Sequence, residues 1–292
     1  MVHSSFYSLD ETYGTTTLAG IKMNLIANIS PPKCGTTSLY HCLIRCKDVS
    51  QPHVKEPLYF ATSANEDASV PRLLQFDANN HLGHKWFSKL FGQDDESKYR
   101  VDFSTGYSFC PDTPRLIHNE YPDARLIFIL RDPIERFVSH YYQFKKIGVD
   151  LPPIGELIRS DTRTAEICFR YANYTHIYES FLKEFSPEQI CILRFDDFIQ
   201  NSNDIETTIR NFLELPDFEY KPNASEMNSA ARPRNWIIAR LFSGVHIRLM
   251  LPLSPIFARL GLLKFRRKII SWNKQTVRNP ELSDQDKDAL KQ

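Results

Sequence analysis

The sequence predicts an α/β fold: a parallel β-sheet flanked by helices on both faces, with a helical, basic C-terminal region. Three observations predict it. Short apolar, β-compatible runs alternate with stretches of helical periodicity, which implies a mainly parallel sheet. Strand-like runs pass directly into helix-start chemistry. The 292 residues are 42% hydrophobic and 24% charged, a composition that supports a sizeable core and excludes a wholly disordered chain. The 36 basic and 35 acidic residues sum to +1, which argues against a dedicated nucleic-acid binder.

Taken in order, residues 1–20 are polar and Thr-rich and read as a flexible leader, with 21–292 as a single domain. The first strand is N-L-I-A-N-I (Asn24 to Ile29), stopped by Pro31-Pro32. A helix starts at Thr36, with Leu39, Cys42, Leu43 and Cys46 at helical spacing. A second strand is expected around Arg100 to Phe103, and a third at Ala124 to Leu130. The third runs into a helix that Asp132 can cap and Pro133 can begin. A helix over Glu166 to Phe185, a strand over Ile190 to Phe195 and a helix around Asp204 to Leu213 follow.

The segment P-P-K-C-G-T-T-S-L (Pro31 to Leu39) lies between strand and helix, where backbone N–H groups point outward to an anion. Gly35 allows close approach, and Lys33, Thr36, Thr37 and Ser38 add a cation and hydroxyl donors. The arrangement is P-loop-like without being a Walker A sequence, because the lysine precedes the glycine and the first glycine is missing. Taken alone, a strand-to-helix turn with a Thr/Ser cap reads the same way.

Two further blocks follow in order: H-V-K-E-P-L-Y-F (His53 to Phe60) and R-D-P-I-E-R-F-V-S-H-Y-Y (Arg131 to Tyr142). P-K-x-G-T-T-x-L, K-E-P-x-x-F and R-D-P-x-x-R-x-x-S-x-Y together resemble the sulfotransferases that use 3′-phosphoadenylyl sulfate, nearest the heparan-sulfate branch and its bacterial relatives. L-R-F-D-D-F (Leu193 to Phe198) is a weaker echo. The resemblance implies a sulfuryl transfer to a hydroxyl or amine acceptor (a carbohydrate, lipid or small metabolite), releasing adenosine 3′,5′-bisphosphate without a metal. It places the 5′-phosphosulfate on Lys33, Cys34, Gly35, Thr36, Thr37 and Ser38, with Lys33 stabilising the leaving phosphate. It assigns the 3′-phosphate to Arg131 and Ser139, and a closing basic loop to Arg232 and Arg234. Glu56 matches the catalytic base, with His53 as the alternative. Lys55 either adds a second cation near the sulfuryl group or neutralises Glu56. Phe103 stands where many relatives carry a lysine, which implies a less anionic acceptor. A P-loop-type small-molecule kinase and a non-catalytic polyanion- or lipid-binding protein are the competing readings.

The charge is unevenly spread. Residues 227–280 hold eleven basic side chains and no acidic one, leaving 25 basic against 35 acidic elsewhere, a net −10. With Trp236, Phe242 and Leu249 interspersed, this basic stretch suits a helical lid, an acceptor-facing segment or, through 232–268, a peripheral membrane contact. Six scattered cysteines without a C-x-x-C pair read as reduced thiols, and neither a signal peptide nor a membrane span is evident; the expectation is a cytoplasmic protein. His81-x-x-His84 and the His41, Cys42, Cys46 group lack a full metal-ligand set.

Overall fold

The computed structural model describes residues 23–62, 78–92, 97–146, 151–160, 173–200 and 202–222, together with 149, 165–166, 169, 231–233, 274–276, 282 and 284–289. Strand β1 (Asn24–Asn28) leads through the Pro31 loop into helix α1 (Thr36–Leu43), and β2 is the two-residue Val49–Ser50. Then come α2 (Gly83–Ser88), β3 (Tyr99–Asp102), a short 3₁₀ turn over Thr105–Phe109, and α3 (Thr113–Glu120). β4 (Arg125–Leu130), α4 (Pro133–Lys146), α5 (Ile154–Ile158) and α6 (Tyr174–Leu182) follow. β5 (Ile190–Arg194), α7 (Asp197–Gln200) and α8 (Ser202–Leu213) complete the part built on the main sheet.

The five strands lie in the order β2-β3-β1-β4-β5, every pairing parallel. Period-2 alternation sends neighbouring side chains to opposite faces. Ile26, Val101, Ile127, Ile129 and Leu193 pack under α1 and α8, whereas Leu25, Ala27, Leu126 and Phe128 pack under α2, α3 and α6. Both faces are covered, which is why the strands read as nearly continuous apolar runs. From β1 the chain crosses toward β2, and from β4 it crosses the other way toward β5. The carboxyl ends of β1 and β4 therefore border the crevice where open α/β sheets bind ligands.

The expected α4 start is present, with Asp132 Oδ1 accepting the Glu135 N–H at 2.8 Å. Two expectations change. The helix read over Glu166 to Phe185 has its described core at Tyr174–Leu182, because Asn173 caps it by accepting the His176 N–H at 3.0 Å. The basic segment 227–280 lies outside the described residues except at β6 (Ala231–Pro233) and β7 (Lys274–Thr276). These pair antiparallel, so they are strand where helix was expected, and β6 lies alongside α4. The leader 1–20 lies outside the described residues as well.

Phe128 is buried and meets Tyr174 and Tyr178 of α6, with ring centroids 6.1 and 6.3 Å away. Replacing it with Ala should cost about 3–5 kcal/mol, through lost burial and a residual cavity. The measurement is the denaturant midpoint at unchanged slope; a parental midpoint would show that this ring does not anchor α6.

Candidate active site

The turn out of β1 is made by left-handed backbone. Lys33 has φ 76° and Gly35 φ 84°, so the chain reverses within a few residues, a backbone form that can turn successive N–H groups toward an anion. Glycine suffices at 35 for a second reason: a Cβ there would stand 3.0 Å from the Phe195 ring. α1 begins at this glycine, which has no side chain to cap the first N–H groups of the helix. The side chains of Cys34, Thr36 and Ser38 are buried, while Lys33 and Thr37 are half-buried. Burial pushes the Cys34 thiol up to about 11, against the opposing field of Arg136, and keeps it protonated.

Arg131 closes this turn from the end of β4. Its Nη1 donates to the Lys33 carbonyl at 3.0 Å, its Nη2 meets Glu135 Oε2 at 3.3 Å, and its guanidinium lies 4.3 Å from the Phe195 ring centroid. Its Nε is buried without a hydrogen-bond partner among the described residues. Tyr174 holds the other side by donating to the Arg131 carbonyl at 2.8 Å. One helical turn into α4, the fully buried Arg136 approaches His140. Burial, then the Arg136 and Lys33 charges, hold His140 far below the usual imidazole range, so it is neutral. Ser139 lies half-buried on the same helix; Arg232 is in β6 beside it, and Arg234 lies outside the described residues.

The K-E-P loop sits against the same turn. Lys55 Nζ donates to Thr37 Oγ1 at 2.8 Å, while Glu56 Oε2 accepts from the Thr105 hydroxyl at 3.1 Å and the Thr105 N–H at 3.4 Å. His53 differs. Its side chain is exposed, and its backbone N–H donates to the Leu90 carbonyl. The rest of the loop hangs on a buried relay. Asp102, at the end of β3, accepts from Ser104 N–H (3.0 Å) and Oγ–H (2.6 Å) with one oxygen, and from Tyr107 OH (2.5 Å) with the other. With their protons committed to the carboxylate, Ser104 Oγ accepts the Leu58 N–H at 3.0 Å and Tyr107 accepts the Phe60 N–H at 3.1 Å. This holds Leu58 at φ 51°, a costly conformation for a residue with a Cβ, two positions after Glu56. Phe103, which stands where many relatives carry a lysine, is a fully buried core ring with its centroid 5.9 Å from that of Tyr40.

Thr105, Asp102, Ser104, Tyr107 and Phe195 were not among the residues singled out in the sequence. The available signal was an aspartate closing an apolar strand and followed by Ser, Thr and Tyr, a pattern that outside a fold reads as an ordinary turn. Of the weaker metal candidates, His84 has its Nδ1 2.7 Å from Glu120 and its Nε2 3.0 Å from Ser88 Oγ, within a side-chain network between α2 and α3.

Burial pushes the Asp102 carboxyl from 3.8 up to about 6; the Ser104 and Tyr107 hydrogen bonds oppose that shift and the nearby Glu56 charge adds to it. At neutral pH it is ionised and the relay has one direction. Asp102→Asn would leave a buried hydroxyl proton without an acceptor, at a cost of about 1–3 kcal/mol. The sign with pH is fixed by linkage: a carboxyl whose folded value lies above its unfolded one takes up its proton more readily when folded. Its titration therefore makes the parent lose stability as pH rises from about 4 to 6. The gap between parent and Asp102→Asn should narrow over that interval in denaturant titrations; a constant gap would show that Asp102 does not titrate there.

Comparison with known proteins shows the family. A family model described as the sulfotransferase family matches residues 26–220. The bifunctional heparan sulfate N-deacetylase/N-sulfotransferase 1 of Caenorhabditis briggsae is 24% identical over 281 residues, covering 86% of this chain and 31% of the relative. Carbohydrate sulfotransferase 15 of Rattus norvegicus is 24% identical over 256 residues, covering 70% of this chain and 46% of the relative. The chain thus spans less than half the length of either relative. Among solved structures, a sulfotransferase from Alicyclobacillus acidocaldarius superposes with a TM-score of 0.56 at 22% identity, covering 82% of this chain and 95% of that one; this likeness is one of fold. With the family model matched from the first strand to beyond α8, this chain belongs to the sulfotransferase family.

Proposed function

We propose that residues 21–292 act as one domain that transfers a sulfuryl group from 3′-phosphoadenylyl sulfate to a hydroxyl or amine of an acceptor, with adenosine 3′,5′-bisphosphate as the other product. One observation carries this reading: three blocks far apart in sequence converge at the carboxyl edge of the sheet. Arg131 bonds the Lys33 carbonyl, Lys55 bonds Thr37, and Glu56 lies on Thr105 just beyond β3. The groups present suit an anionic donor. An uncapped helix start, two left-handed residues, the Lys33 ammonium and the unsatisfied Arg131 Nε all offer positive charge or N–H donors.

When bound, the donor supplies the activated sulfuryl group; the chain's task is to hold it and manage charge and proton. Lys33 balances the negative charge that builds on the departing phosphate oxygen. Arg131 and Ser139 hold the 3′-phosphate, with Arg232 and Arg234 closing over it. Glu56 takes the acceptor proton. Its support over His53 is geometric: Thr105 fixes the Glu56 carboxylate with two hydrogen bonds, whereas the His53 ring stands in solvent. The names of the relatives point to a carbohydrate acceptor.

Adenosine 3′,5′-bisphosphate should raise the thermal midpoint more than ATP with magnesium does; the opposite ranking would favour a kinase. Glu56→Gln should lower turnover by about 10²–10⁴-fold while nucleotide affinity stays near the parent's. Arg131→Ala should weaken nucleotide binding. Parental turnover in Glu56→Gln would move the base to His53, and parental affinity in Arg131→Ala would remove Arg131 from the phosphate site.

A further inference from the structure

We propose that Lys55 is a positioning residue of the anion loop: it binds the Thr37 hydroxyl from behind, turns that hydroxyl's proton toward the bound anion and lends its own charge to the site. The inference rests on the reading that this loop holds the 5′-phosphosulfate of the donor.

The argument begins with proton counting. A threonine hydroxyl has one proton to donate and two lone pairs, and an ammonium can only donate. At 2.8 Å the Lys55–Thr37 hydrogen bond therefore has a single direction, with Thr37 Oγ1 as acceptor. The Thr37 proton must then go elsewhere. In a helix it would ordinarily turn back to the carbonyl three or four residues earlier. Here neither of those carbonyls, Cys34 or Lys33, receives it, and the Lys33 carbonyl accepts from Arg131 Nη1 at 3.0 Å. Among the described residues the Thr37 hydroxyl has no acceptor, and it lies in the second position of α1, beside N–H groups that the Gly35 start leaves uncapped. An anion in the loop meets that proton.

Lys55 is itself held in place. Its ammonium lies 5.7 Å from the centre of the Tyr40 ring, one turn further along α1, a cation–π position, and Tyr40 packs in turn on Phe103. On its other side, the Pro57 carbonyl accepts from Asn79 Nδ2 at 2.7 Å and the Leu58 N–H is bound by Ser104. The backbone is thus pinned immediately after Glu56. Consecutive side chains of one loop are bonded to different parts of the site, Lys55 to the donor loop and Glu56 to Thr105. A displacement of this loop moves both, so the cation at the leaving group and the base for the acceptor are set by the same few residues.

The test is a double-mutant cycle on the affinity for adenosine 3′,5′-bisphosphate, measured by calorimetry on Lys55→Met, Thr37→Val and the pair, with Lys55→Arg as the conservative variant. Binding needs neither acceptor nor base, so the readout is independent of Glu56. Lys55→Met should weaken binding about 10-fold and Lys55→Arg should recover most of that. The double variant should lose clearly less than the product of the two single losses, because the lysine acts partly through the hydroxyl. Parental affinity in Lys55→Met, or losses that multiply independently, would overturn the proposal while leaving the donor site intact. If the parent itself fails to bind the nucleotide, the donor reading fails and this inference with it. Thermal midpoints within a few degrees of the parent's separate a lost contact from a lost fold.

Discussion

The hydrogen bond from Arg131 Nη1 to the Lys33 carbonyl is the constraint on which the rest of the site depends. Lys33 occupies left-handed backbone, a conformation that costs roughly 1–2 kcal/mol for a residue with a Cβ. It persists where surrounding contacts over-determine it. Here Arg131 reaches across from β4 to hold the carbonyl, Phe195 supports the guanidinium from beyond β5, and only a glycine at 35 lets that ring sit so close. Strands β1, β4 and β5 thus meet at one turn.

A second buried arrangement governs the opposite side of the site. Asp102 closes β3 at the carboxyl edge of the sheet, paired through its backbone with Ala27 of β1, and burial makes its ionisation costly. Its three hydrogen bonds offset part of that cost and orient Ser104 and Tyr107, which in turn hold the backbone after Glu56. A half-satisfied polar network inside a core is worse than an apolar one. The relay is satisfied at both carboxylate oxygens and at both hydroxyls, so a strained loop is held at a rigid sheet edge.

Charge is organised around these two arrangements rather than spread evenly. Lys33, Lys55, Arg131 and Arg136 gather where β1 and β4 end, and burial together with the Arg136 and Lys33 charges keeps His140 neutral. The near-zero sum of the chain hides this, since the same composition places a run of basic residues in 227–280 beside an acidic remainder. β6 shows where that run joins the described structure, alongside α4.

The sequence by itself determined the alternation of strands and helices, the stop at Pro31-Pro32, the Asp132 cap and the three blocks that identify the family. All of these rest on periodicity and turn chemistry among residues a few positions apart. It left open which group Lys55 bonds, and it gave no sign that Phe103 is buried against Tyr40. It also gave no sign that Asp102 anchors the K-E-P loop. Those questions turn on contacts between residues 18 to 98 positions apart: Lys55 with Thr37, Leu58 with Ser104, Glu56 with Thr105, and Arg131 with Lys33. Only the order in which the strands pack brings such residues together, because alternation along a strand fixes which face a side chain takes, whereas the neighbouring strands decide what it meets there.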